Sequence, residues 1–136
     1  MKLLMIYCDK FGYKPTLKTL DFVEEQTGSR EFKNVQTAFI HLEQDDFERE
    51  KDIAKKLIKN LKWVCGKNST KKVVLHSFAH LSESKAEPQF TQSFLNHIEE
   101  RLKNSGFEVY QTPFGYFLDL QVDAPGFSLA RVFKDL

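Results

Sequence analysis

Cysteine is scarce in this chain. The two present, Cys8 and Cys65, stand far apart with no CxxC pairing. Nothing here suggests a disulfide framework, and the pattern reads as reduced and cytoplasmic. Glycine is equally thin: six residues, scattered, with no Gly-rich phosphate loop. There is no Gly-x-Ser-x-Gly and no Cys/His pair at a recognised offset, which argues against a covalent nucleophile. Net charge is almost absent, with Lys+Arg 20 against Asp+Glu 19, so no overall basic field draws in nucleic acid. No apolar run approaches transmembrane length. Leu3–Tyr7, after Met1-Lys2, is too short for a signal peptide and is ended by Cys8-Asp9-Lys10. No internal repeat, low-complexity segment or linker appears.

What the chain does have is length for one domain, 136 residues, and 13 Phe. So many phenylalanines imply an aromatic-rich core or a stacking surface. The charges are also unevenly placed. From Lys51 to Lys72 there are eight lysines and one acid, Asp52.

Periodicity gives the element order. Leu3–Tyr7 is continuously apolar, the mark of a buried strand. Asp9 to Lys14, with Gly12, leaves it through a polar turn, and Thr27-Gly28-Ser29-Arg30 is a loop. Val35 to Glu43 reads as a second strand. Asp45 or Asp46 caps a helix whose apolar stripe is Ile53, Leu57, Ile58, Leu61, Val64 and Cys65, ending at Gly66. Val73–His76 is a strand. Pro88 opens a second helix with Phe90, Phe94, Leu95, Ile98 and Leu102 on its buried face. Phe107–Tyr110 and Tyr116–Val122 are strands. Asp123-Ala124-Pro125-Gly126 is a turn from which Phe127–Phe133 returns as a hairpin partner. The order β, β, α, β, α, β, β, β implies an α/β (α+β) domain over residues 1–136. Its sheet is mixed, mostly antiparallel, and its two main helices pack on one face.

Chemistry concentrates in two stretches that follow strands, His76–Ser82 and Thr112–Tyr116. Strand ends are where α/β domains place their sites. His76 and His80 share the i, i+4 spacing of zinc-binding helices. Here a strand is ending, and no cysteine or carboxylate stands at a ligand-like offset, so no metal is expected. His80 sits on a turn. It is either an oriented, exposed imidazole or a histidine that fixes the loop through a backbone carbonyl. Ser82 and Ser84 could hold a ligand hydroxyl. Asp119 either orients water or a substrate amine, or is an exposed strand carboxylate facing a lysine. The lysine-rich helix either touches a phosphate backbone or is a solvated face.

With Phe78-Ala79-His80-Leu81-Ser82 and Pro113-Phe114-Gly115-Tyr116, supported by Ala38-Phe39-Ile40 and Glu43, the sequence resembles the editing domain that precedes archaeal threonyl-tRNA synthetases. The likeness covers nearly the whole chain. It implies a D-aminoacyl-tRNA deacylase-like fold and hydrolysis of mischarged tRNA, seryl-tRNA(Thr) above all, without a cofactor. It implies that Phe78, Ala79, Ser82, Pro113, Phe114, Gly115, Tyr116 and Phe117 contact substrate, with Phe114, Tyr116 and Phe117 flanking the adenosine. His80 and Asp119 become the expected catalytic pair. tRNA is the expected partner, with a threonyl-tRNA synthetase and a second copy of the chain as further partners, and no membrane. The family's lysine after the aromatic pair is Leu118 here. Its downstream histidine and glutamate fall at Phe127 and Arg131, and its early histidine at Tyr7. Three readings follow: Asp119 and Arg131 stand in, the substrate differs, or activity is lost. The chain ends at Leu136, and the expectation is a free-standing protein acting on tRNA in trans.

Overall fold

The computed structural model describes residues 1–136. Its longest element is the first strand, β1, which runs over Lys2–Lys18. β2 spans Arg30–His41, and a 3-10 turn over Gln44–Arg49 leads into α1, Glu50–Lys67. β3 (Lys72–Ser77), α2 (Pro88–Asn104), β4 (Glu108–Gln111), β5 (Tyr116–Asp123) and β6 (Arg131–Asp135) follow. The six-stranded sheet has the order β4-β3-β2-β1-β5, with β6 also on β1. β3 runs parallel to β2 and β4; β1 is antiparallel to β2, β5 and β6. No helix is long and apolar enough to cross a membrane.

Two readings from sequence are corrected. Asp9 to Lys14 is not a turn: Lys10 pairs Lys33 on one side and Asp123 on the other, and the strand continues to Lys18. Pairing on both edges holds polar residues extended where local preference favours a turn. Phe127–Phe133 does not return as a hairpin partner of β5. Lys18 to Lys10 pairs with β5 and Ile6 to Lys2 pairs with β6, so the two late strands lie end to end along one edge of β1. Residues 124–130 loop out between them, and Arg131 donates from Nη1 to the carbonyl of Pro125 at 3.0 Å.

Both helices bury their apolar stripes against one sheet face. Leu57, Leu61, Phe94 and Ile98 share a single cluster with Leu3, Met5, Ala38, Ile40, Val73 and Leu75. Pro88 is the first residue of α2, where its missing N–H leaves no donor unsatisfied. The other face carries a separate aromatic cluster built on Phe11, Phe32 and Phe39. Strict two-residue alternation fails across Asn34, whose φ is 52°. Phe32 and Val35, three apart, therefore reach the same cluster. From Phe39 the rings step edge-to-face to Phe78 at 5.1 Å and from Phe78 to His80 at 5.0 Å. The phenylalanines thus serve both as core and as a row leading to one end of the sheet.

Candidate functional site

β3 ends at Ser77, and the chain then folds over the ends of β2 and β3. Two backbone bonds tie this loop to β2: Phe78 N–H donates to the Ile40 carbonyl and Ala86 N–H to that of Leu42, each at 3.0 Å. His41 staples it between them. Its Nε2 lies 2.7 Å from the Ser84 carbonyl and must donate there, so its Nδ1 accepts the Leu81 N–H at 2.9 Å. Both ring nitrogens of His41 are thereby occupied. Ser82 donates from Oγ to Glu43 Oε2 at 2.6 Å. That bond, then the terminal ammonium and Lys2, hold the Glu43 carboxyl down at about 2 against the opposing effect of burial.

The second loop, after β4, is fixed as firmly. Thr112 N–H donates to the Leu75 carbonyl at 3.1 Å, and Thr112 Oγ1 meets His76 Nδ1 at 2.8 Å. Gly115 adopts φ 81°, a left-handed conformation that glycine takes without strain. Its carbonyl accepts both Thr19 N–H at 2.7 Å and Thr19 Oγ1 at 2.9 Å. Tyr116 Oη donates to the Glu24 carbonyl at 2.9 Å and accepts the Gln26 N–H at 2.8 Å. The β1–β2 connection is pinned in this way beside the second loop.

These loops enclose a cavity of about 480 Å³, a volume suited to a small organic ligand. Phe78, Ala79 and His80 line it from one side, and Pro113, Phe114 and Gly115, continued by Tyr116 and Phe117, from the other. The N–H groups of Ala79, His80, Phe114 and Gly115 donate to nothing within the chain. Four free donors on two facing loops suit a carbonyl oxygen or an oxyanion.

Two expected site residues lie elsewhere. Asp119 is exposed and does not line the cavity, although Leu118 and Leu120 on either side of it do. The strand pleat carries it away, opposite Lys14 on β1. Ser82 does not line it either, since its hydroxyl is committed to Glu43. Arg131, offered as a stand-in, is spent on the carbonyls of Pro125 and Ala124.

Other residues complete the site. Lys85 is the one ammonium lining the cavity, and no carboxylate lines it. His76 is nearly buried, and burial, then the nearby His80, lowers its pKa to about 4. Its Nδ1 faces Thr112; its Nε2 has no partner in the chain, yet no buried polar side-chain atom is left unsatisfied, so Nε2 reaches open space. Thr19 and Leu20 supply a wall from a connection with no periodic signal. No group of three His, Cys, Asp or Glu stands together as a metal shell. The thiols of Cys8 and Cys65 are buried, which raises them to about 11 and about 12.

The pattern defining the archaea-specific editing domain of threonyl-tRNA synthetase matches residues 1–136. The chain belongs to this family. Members of it are aminoacyl-tRNA deacylases, which hydrolyse the ester between amino acid and tRNA. Among curated relatives, the threonine–tRNA ligase of Thermococcus sibiricus is 28% identical over 100% of the chain and 22% of its own length. That of Nitrosopumilus maritimus is 31% identical over 98% of the chain and 21% of its own length. The editing domain thus spans about a fifth of the curated relatives it matches. A solved structure named c-Myc DNA Unwinding Element Binding Protein superposes with TM-score 0.74 at 8% identity, covering 100% of this chain and 99% of that one. The fold of this editing domain is that of the D-aminoacyl-tRNA deacylases. At Tyr7 and Phe127, where the resemblance places histidines, two aromatic rings meet at 6.2 Å.

Proposed function

We propose that the cavity receives the aminoacylated 3′ end of tRNA and hydrolyses its ester, with seryl-tRNA(Thr) as the preferred substrate. The observation that carries this is the set of unpaired N–H groups on Ala79, His80, Phe114 and Gly115, four residues that line one cavity from two loops. Water attacks the carbonyl carbon, and the oxygen that gains charge sits among those donors. The ester C–O bond breaks, the ribose oxygen takes a proton, and free serine and tRNA leave. His80 positions substrate and water. It is exposed at the cavity and bonded to no group of the chain, which frees both ring nitrogens. Lys85 offers the one positive charge at the wall. Phe114, Tyr116 and Phe117 supply ring surface for the terminal adenosine, Phe117 being largely exposed. A second hydrolytic sieve has a physical reason. Serine lacks only a methyl relative to threonine, and a synthetic site separates such pairs weakly.

We further infer that the domain works in the cytoplasm, where aminoacyl-tRNA is made, with a threonyl-tRNA synthetase as a partner. The free edge of β5, last in the sheet order, supports a second copy as a partner. A non-catalytic tRNA-binding module is the competing reading, favoured by Leu118 at the family's lysine position and by the absence of any carboxylate lining the cavity.

A panel of mischarged tRNAs decides. Seryl-tRNA(Thr) is expected to lose its amino acid faster than threonyl-tRNA(Thr), with His80→Ala slowing the reaction by about 10- to 100-fold. Unchanged rates with and without protein, for L-seryl and D-aminoacyl substrates alike, would discard hydrolysis and leave the binding module.

A further inference from the structure

Helix α1 carries a feature that the cavity does not use. Lys51, Lys55, Lys59 and Lys62 recur at intervals of four, four and three residues. On a helix this spacing sets them in one stripe, neighbours about 6 Å apart along the axis. All four are exposed, and none makes an ion pair or a hydrogen bond within the chain. Several other surface lysines do find partners. Lys56, just off the stripe, holds Asp52 at 3.1 Å, and Lys10, Lys18 and Lys103 each meet a glutamate. The acids near α1 are gathered at its start, and none occurs from Ile53 to Lys72. A chain of net charge +1 thus gathers uncompensated positive charge on one helix face.

A second observation lies at the far end of the stripe. Trp63, next to Lys62, is 41% exposed. Lys134 of β6 stands 5.7 Å from the centre of its ring, adding a fifth ammonium from another element. An accessible flat ring among lysines is a combination that nucleic-acid surfaces use: charge for phosphates, a face for a base or a ribose. A protein partner would want an apolar centre. Along this exposed face only Trp63 is apolar.

We propose that this face of α1, with Trp63 and Lys134, is a docking surface for the phosphate backbone of the RNA whose 3′ end enters the cavity. The proposal rests on the tRNA reading above and locates the body of that RNA. Ile40, His41 and Leu42 line the cavity, and the 3-10 turn over Gln44–Arg49 leads from them straight into α1, so the stripe starts toward the cavity end of the sheet. The loops read the end of the strand; the stripe contributes affinity that is blind to sequence.

The test is fluorescence anisotropy of uncharged tRNA against the full chain at several KCl concentrations. Lys55→Ala/Lys59→Ala/Lys62→Ala is compared with wild type and with Lys10→Ala/Lys33→Ala/Lys103→Ala, which removes equal charge elsewhere. The slope of log affinity against log salt should fall by roughly 2 in the helix variant, at ~0.7–0.9 per phosphate contact, and stay near wild type in the control. Circular dichroism and Tm should not move, because the three side chains are exposed. In seryl-tRNA(Thr) hydrolysis the helix variant should raise KM and spare kcat. Equal slopes for wild type and the helix variant overturn the proposal, as do equal losses in both triple variants, or no tRNA binding by wild type. Hydrolysis with an unaffected helix variant sinks the docking surface alone. Salt-dependent binding that the helix variant loses, without hydrolysis of any substrate, supports the surface and sinks the deacylase reading.

Discussion

Glu43 and His76 stand at the root of the first cavity loop, and both make the fold sensitive to acid, in separate windows. The Glu43 carboxyl is depressed to about 2, chiefly by the Ser82 hydroxyl. A depressed carboxyl stabilises the fold above its unfolded pKa of about 4.3, and that stability is lost as pH falls toward the folded value. His76 is depressed to about 4 by burial. The unfolded imidazole takes its proton near pH 6.5 and the folded one does not, so stability also falls between about 6.5 and 4. Glu43→Gln should therefore cost about 1–3 kcal/mol at neutral pH, with the deficit closing between about pH 4 and 2. His76→Gln should flatten the slope between about pH 6.5 and 4, an effect of roughly 3 kcal/mol at most. Urea unfolding at stepped pH separates the two. Identical pH profiles for wild type and both variants would refute these assignments. The same scale shows why Ser82 and Asp119 stand off the cavity wall. Sequence names a polar group but not its partner. Ser82 is close in chain to the cavity yet spent on Glu43, and one step along a strand separates Asp119 from Leu118 and from the cavity.

Among elements, the β1–β2 connection decides whether the cavity has a wall. It contains no helix or strand, and the Gly115 carbonyl and the Tyr116 hydroxyl hold it in place. A Cβ at Gly115 would come within 3.1 Å of Leu20 Cδ1 and Val23 Cγ1, on a backbone already at φ 81°. Gly115→Ala should lower stability by about 1–3 kcal/mol and weaken ligand binding with it. Tyr116→Phe keeps the ring but frees the connection. Proteolysis and amide exchange should then speed up within residues 19–29 while the sheet stays protected, and uniform protection would show that the clamp is idle. Elements with a clear period were legible in sequence: both helices were found, and Pro88 marks the first residue of α2. Those set by distant pairing were not. Asp9 to Lys14 has turn composition but is straightened by neighbours on both edges, and Asp123-Ala124-Pro125-Gly126 looks the same in a reversal as in the looped-out stretch it forms. The two loops could be named from the sequence. That the β1–β2 connection joins them could not, since nothing local in Thr19 or Leu20 points to Gly115.

For the molecule as a whole, β1 is the common partner: β2 covers one edge, and β5 and β6 divide the other. The first and last strands of the chain thus meet, with Lys2 opposite Asp135 and Ile6 opposite Arg131. Lys2 Nζ reaches Asp135 Oδ1 at 2.8 Å, and Val132 and Leu136 pack on the main core beside Met1 and Leu3. Contacts so distant in sequence form late and hold the whole sheet once formed. Stopping the chain after Ala130 would uncover the Lys2–Ile6 edge of a buried strand and part of the main core. Exposed edges of that kind recruit other chains. The shortened protein should lose cooperative unfolding or aggregate, even though the cavity, which β6 does not line, keeps every one of its residues. Scanning calorimetry and size-exclusion chromatography give the readout. A monomeric truncated chain that melts cooperatively at the wild-type Tm would mean that β5 and β2 alone secure β1, and that the end-to-end pairing of β5 and β6 contributes little to holding the two cavity loops together.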